Sequence, residues 1–271
     1  MSLHLSEPFA TLWAGRNPFE QVEQLEGEIF RELEARRTLR TEVAGQGYFV
    51  KIHRGVGWGE ILKNWLTLKR PVLGADQEWH AIHALRAAGV PTMTAVAFGE
   101  QGRNPATRHS FIITEELAPT VSLEDFSQDW PINPPPPALK WALIAEVASM
   151  TRRMHQAGVN HRDCYICHFL LHTDQQPMPE DFRLSLIDLH RAQIRSRVPR
   201  RWRDKDLAGL YFSALNIGLT RHDKLRFLRE YFAQPLRQVL AEEAAMLAML
   251  EAKASQLQAR FERKYAKGPD A

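Results

Sequence analysis

The chain has 271 residues, of which 44% are hydrophobic, and a formal net charge of +3. That length and apolar content support a large core, in one two-lobed domain or two small ones, and the mild basicity suits nucleotides, phosphorylated sugars or acidic headgroups; nucleic acid is not an expected partner. No apolar run approaches the roughly 20 residues of a membrane-spanning helix, Met1 to Pro8 lack the basic and apolar regions of an export signal, and two cysteines make no disulfide framework, so a cytoplasmic location is expected.

In chain order, Gly45-Gln46-Gly47 reads as a glycine turn feeding the β-rich run Tyr48-Phe49-Val50-Lys51-Ile52-His53, which carries a single lysine. In the next segment Trp58, Ile61, Leu62, Trp65 and Leu66 recur at helical spacing, flanked by Lys63, Lys69 and Arg70. That apolar face either packs on the core or lies in a membrane interface, and the first is favoured. A helix opens at Glu78 and stops at Gly89 with Pro91 beyond. Phe111-Ile112-Ile113-Thr114-Glu115-Glu116-Leu117 is an apolar strand running into acids. Pro131 to Pro137 form a stiff polyproline spacer. From Ala138 to Ala157, Leu139, Leu143, Val147, Met150 and Met154 mark the buried stripe of a long helix. Past Thr220 the chain is helical and charge-rich, broken at Pro235.

Between these helical regions lie His161-Arg162-Asp163 and, further on, Asp188 at the end of an apolar strand. Phosphoryl transfer needs one carboxylate to accept the proton of the attacking hydroxyl and another to hold Mg²⁺ against the phosphates of ATP. The order of glycine turn, strand lysine, helix glutamate, apolar strand, long helix and two aspartates resembles the kinases. The strings around His161-Arg162-Asp163-Cys164-Tyr165-Ile166-Cys167-His168-Phe169, Ile187-Asp188-Leu189-His190-Arg191-Ala192 and Arg201-Trp202-Arg203-Asp204-Lys205-Asp206 resemble the bacterial lipopolysaccharide core heptose(I) kinases over nearly the whole chain.

That resemblance implies an α+β, bilobed protein-kinase-like fold. Residues 1–117 would be an N-lobe of antiparallel sheet plus helix, and residues 118–271 a mainly helical C-lobe. It implies Asp163, beside Arg162, as catalytic base and Asp188 as Mg²⁺ ligand. Lys51 would grip the phosphates with Glu78 fixing it, Gly45 and Gly47 would approach the nucleotide, and Glu115 and Leu117 would offer backbone groups to adenine. Asp206 would orient the loop that carries Asp163. His168 stands where such enzymes place a metal-binding asparagine; an imidazole is a poor ligand for a hard ion. Arg195, Arg197 and Arg200 are candidate contacts to an anionic inner-core glycolipid, through bidentate guanidinium bonds. Acyl carrier protein and the cytoplasmic face of the inner membrane are the further partners the resemblance suggests.

Two other classes compete. A kinase of a soluble sugar or aminoglycoside would share the same parts, and a non-catalytic kinase-like binding module would explain His168. Cys164-Tyr165-Ile166-Cys167-His168 also matches the attachment pattern of c-type haem. Haem attachment follows export, and a lone CxxCH lacks a fourth zinc ligand, so buried thiols packing the loop are expected instead.

Overall fold

The computed structural model describes residues 1–265 except 34, 56, 60, 61 and 63–73. The chain divides into two compact units. The first comprises Met1–His83, Thr92–Leu117 and the short return Asp188–Arg191; the second comprises Ala84–Pro91, Ala118–Ile187 and Ala192–Ala271.

The first unit is built on a six-stranded antiparallel sheet. Its strands are β1 (Ser2–Leu5), β2 (Glu28–Leu33), β3 (Arg36–Val43), β4 (Gln46–His53), β5 (Ala95–Gln101) and β6 (His109–Glu115). They lie in the order β1, β5, β6, β4, β3, β2, which puts β4 in the interior. Alternation along β3 and β4 sends Leu39, Val50 and Ile52 to a core shared with Phe9, Trp13, Phe19 and Phe111, and leaves Thr38 and Lys51, which pair across the strands, on the opposite face. The aromatic rings of that core meet edge-on, Phe9 against Tyr48 and Phe19 against Phe111, as ring quadrupoles favour. The helix Asp76–Ala87 starts in this unit with Asp76 and Glu78 in its first turn, where the helix dipole favours acids.

The second unit is mainly helical. Its long helix, Pro137–Gln156, buries Leu139, Leu143, Val147, Met150 and Met154 along one stripe, with proline in its first turn. The helices Arg200–Ser213, Arg221–Phe232 and Ala244–Tyr265 pack through Leu207, Ala208, Tyr231, Met246 and Leu250. Thr220 and Asp223 form a reciprocal capping box that starts the second of these. Two small sheets complete the unit. One joins β7 (Thr120–Ser122), β9 (Phe169–His172) and β10 (Leu184–Leu186), and the other joins β8 (Val159–Asn160) and β11 (Gln193–Ile194). They frame the segment from His161 to His168.

Candidate active site

In the first unit, Lys51 Nζ donates to Glu78 Oε1 at 2.7 Å and lies 3.9 Å from Asp188 Oδ1. The glutamate side chain is 2% exposed and the lysine 15%. Removing either partner would strand the other, at about 3–5 kcal/mol for a buried pair. Asp188 lies two residues past β10 at φ 62°, a left-handed conformation that costs a non-glycine residue roughly 1–2 kcal/mol. His190 Nδ1 donates to its Oδ1 at 2.5 Å. His53, buried beside this group, has its pKa pushed down to about 3 by desolvation first and then by Arg36, Lys51 and His190. It stays neutral at physiological pH and adds no further charge to the cluster.

The glycine pair sits elsewhere. Ala44 and Gly45, at φ 54° and 81°, form the two-residue turn between β3 and β4, where both central residues of a primed turn need positive φ. Gly45 lies six residues from Lys51, about 20 Å at roughly 3.3 Å per residue. A Cβ on Gly47 would fall 1.9 Å from Glu116 Oε2, and Arg40 holds that carboxylate with bonds of 2.8 and 2.7 Å. Gly47 therefore makes room for an ion pair, and the expected nucleotide-approaching glycine turn is corrected to a structural one. Glu115 ends β6 with its N–H given to Thr94 O at 2.9 Å, and Leu117 is the last residue of the segment.

In the second unit, the loop bearing Asp163 is held by Asp206. This carboxylate, 1% exposed, accepts the N–H of His161 on Oδ2 at 2.7 Å and that of Arg162 on Oδ1 at 2.8 Å. His155 Nε2 lies 3.3 Å away, and Tyr231 OH is 2.7 Å from the other ring nitrogen. A carboxylate can only accept, so Nε2 carries the proton that faces Asp206. Burial pushes the Tyr231 hydroxyl pKa up. The clamp acts where it is needed: Arg162 sits at φ 74°, and the residue after it is Asp163. His161 Nε2 donates to Ile187 O at 2.9 Å, and Ile187 N–H to His168 O at 2.9 Å.

His168, the residue expected at the metal position, is tied into the loop through one ring nitrogen. Its Nδ1 donates to the Asp163 carbonyl at 2.7 Å, and its ring stacks on His161 at 5.5 Å. That arrangement fixes the backbone of the Asp163 loop. Among the described residues no group of three or more His, Cys, Asp or Glu side chains could hold a metal. The CxxCH string follows the same logic: Cys164 is fully buried, with its thiol pKa well raised by desolvation. A buried, protonated thiol is inert. The purified protein is accordingly expected to be colourless, and Cys164→Ser with Cys167→Ser to retain nucleotide binding; a Soret band lost in that variant would overturn this reading.

The basic run also divides. The Arg195 guanidinium lies 5.7 Å from the centre of the Trp202 ring and bonds Asn160 and Gln193. Arg200 and Arg203 both hold Glu243. Arg197 is exposed and lines a cleft of about 700 Å³ with Arg152, Arg200 and Arg203. Arg195 and Arg200 thus also hold parts of their own fold, while Arg197 of the expected trio is exposed without a carboxylate partner among the described residues. Trp58 and Leu62 are about half exposed; Ile61, Lys63, Trp65, Leu66, Lys69 and Arg70 lie outside the described residues.

A separate apolar cavity of about 330 Å³ opens among the helices of the second unit. Leu143, Ile144, Val147, Leu207 and Leu250 are among its walls, and the exposed Arg221 and Lys224 stand at its edge.

Comparison with known proteins follows the same direction. A family model described as "Lipopolysaccharide kinase (Kdo/WaaP) family" matches residues 20–231. The lipopolysaccharide core heptose(I) kinase WaaP of Pseudomonas aeruginosa PAO1 is 68% identical over 263 residues, spanning 97% of this chain and 98% of that protein. The protein of the same name from Escherichia coli is 61% identical over 262 residues, 97% of this chain and 99% of that one. A solved structure, WaaP in complex with acyl carrier protein, superposes with a TM-score of 0.86 at 64% identity, covering 95% of this chain and 99% of that one.

Proposed function

The chain belongs to the lipopolysaccharide kinase (Kdo/WaaP) family, and from that premise we propose that it transfers the γ-phosphoryl group of ATP to a hydroxyl of the first inner-core heptose of lipopolysaccharide. The single observation that carries the reading is the Lys51–Glu78 pair with Asp188 beside it. A buried lysine fixed by one carboxylate and facing another is what nucleotide phosphates and their counter-ion require.

Each residue then has a task. Lys51 neutralises the α/β-phosphates, and Glu78 holds its ammonium in place. Asp163 accepts the proton of the heptose hydroxyl, on a loop whose backbone is held by Asp206. Positioning and electrostatics do most of the catalysis. Residues 1–117, joined by the return Asp188–Arg191, act as the nucleotide-gripping lobe and the rest of residues 118–271 as the lobe that supplies the base and the acceptor region, with the backbone of Glu115 and Leu117 facing adenine.

Mg²⁺ fits this donor set. It takes one or two carboxylates and completes its shell with phosphate oxygens and water, so Asp188 alone is a sufficient protein ligand, its orientation set by His190. Bound there, the ion would neutralise charge on the transferred phosphoryl group.

The reading extends to partners. Acyl carrier protein is proposed as one, supported by the solved WaaP complex with that protein and by the apolar cavity, whose hydrocarbon walls suit an acyl chain. Calorimetry against acylated and unacylated carrier protein tests the cavity's part, with the acylated form expected to bind more tightly; equal affinities would remove it. No helix among the described residues is long and apolar enough to cross a membrane, and work at the cytoplasmic face of the inner membrane, where ATP and the nascent glycolipid meet, is part of the proposal.

The direct test is transfer of labelled phosphate from ATP to purified core glycolipid by the purified protein, with a soluble heptose and an aminoglycoside as competing acceptors. Labelling of the glycolipid is expected. Preferential labelling of a soluble acceptor would move the assignment to the small-molecule kinases, and no transfer at all to a binding module.

A further inference from the structure

Three buried polar atoms on the Lys51 face of the sheet have no hydrogen-bond partner among the described residues: Arg36 Nε, Thr38 Oγ1 and Glu78 Oε2. The register explains why they are neighbours. Arg36 pairs with His53 and Thr38 with Lys51 across β3 and β4, and the two-residue period puts all four side chains on one face, opposite Leu39, Val50 and Ile52. Buried polar atoms are nearly always bonded; the orphaned Arg36 Nε and Thr38 Oγ1 can donate to an anionic ligand, whereas Glu78 Oε2 only accepts and calls for a donor or a cation.

The turn that precedes Arg36 sharpens the point. β2 and β3 are joined through residues 34 and 35, with Leu33 paired to Arg36. The carbonyl of Ala35 accepts the N–H of Arg54 at 2.9 Å, so this turn, not the one at Gly45, stands at the Lys51 end of β4. No glycine occurs from Leu33 to Arg37, so the chain lacks here the residue that most readily brings backbone N–H groups close to phosphate oxygens. A cationic side chain is the other means of holding them. Lys51 is matched by Glu78, while Arg36 has no carboxylate within ion-pair distance among the described residues and is half-buried. Desolvation lowers its pKa, and the charges of Glu78 and Asp188 act on it from nearby.

We propose that Arg36, assisted by Thr38, is a phosphate-binding residue of the nucleotide site, its guanidinium taking oxygens of a nucleoside triphosphate where related enzymes use a glycine-rich loop. A planar guanidinium binds phosphate through two parallel N–H bonds, and the Thr38 hydroxyl supplies another donor. The inference deepens the kinase reading above and rests on it.

Calorimetric titration of the full chain with ATP, ADP and adenosine tests it. Arg36→Met is expected to weaken ATP binding about tenfold or more, ADP less, and adenosine hardly at all, as loss of a charge-assisted bidentate contact implies. Thr38→Val should weaken ATP by roughly threefold, the size of one neutral hydrogen bond. ATP affinity of Arg36→Met within about twofold of the parent would overturn the proposal, and so would an equal loss for ATP and adenosine, which marks a structural residue. If Arg36→Met does not fold, Arg36→Lys decides: the charge remains but the fork is lost, so ATP should weaken at least about threefold with adenosine unchanged, and parental ATP affinity would refute the contact. A parent that binds no ATP would instead refute the kinase reading itself.

Discussion

Replacing Asp163 by alanine is expected to lower turnover by roughly two to four orders of magnitude, the range that a positioned general base contributes. The site that grips the nucleotide should survive, because Lys51, Glu78 and Asp188 belong to the other unit. Affinity for ATP is therefore expected to stay near the parental value. The fold should survive as well, because the bonds made by the N–H groups of His161 and Arg162 and by the carbonyl of Asp163 hold the loop and do not pass through the substituted side chain. Steady-state kinetics with core glycolipid, alongside a thermal melt, separates these effects. Turnover within about tenfold of the parent would take Asp163 out of the proton-transfer role.

Much of this site was legible from local pattern. Lys51 could be placed on a strand because a glycine turn feeds the β-rich run around it, and Glu78 on a helix start because Gly89 and Pro91 stop that helix eleven and thirteen residues on. The stripe from Leu139 to Met154 announced the helix before the His161-Arg162-Asp163 loop. What escaped depended on contacts between distant residues. Gly47 is a glycine because Glu116 leans over it, and nothing near residue 47 signals that. The turn from Leu33 to Arg36 carries neither glycine nor proline, so it gave no turn signal, and the place of Arg36 near Lys51 rests on strand register alone. His168 matched a metal position by spacing, and its Nδ1 also donates to the Asp163 carbonyl, a bond that a motif cannot reveal. Arg195 read as a candidate substrate contact, and the ring beside it, Trp202, lies on the next helix.

The clamp at Asp206 leads to the second large effect. Its carboxylate is the acceptor for two buried backbone N–H groups, and it faces the His155 ring that Tyr231 orients. Asp206→Ala leaves both N–H groups without an acceptor, at about 1–3 kcal/mol each, and releases the left-handed backbone at Arg162, which costs energy that the two bonds offset. A loss of stability of about 3–5 kcal/mol is expected, or a fall in the unfolding midpoint on the order of 10 °C. Turnover measured well below that midpoint should still fall about a hundredfold, since a catalytic group displaced by about 1 Å loses that much. ATP affinity should not follow it down, because the nucleotide groups in the first unit make no use of Asp206. Asp206→Asn sharpens the comparison: it keeps one acceptor oxygen, so it should recover part of the stability, while its amide NH₂ opposes one of the two N–H groups and keeps the loop misplaced. Parental turnover in folded Asp206→Ala would mean that the Asp163 loop holds its shape without the clamp, and that Asp206 serves stability alone.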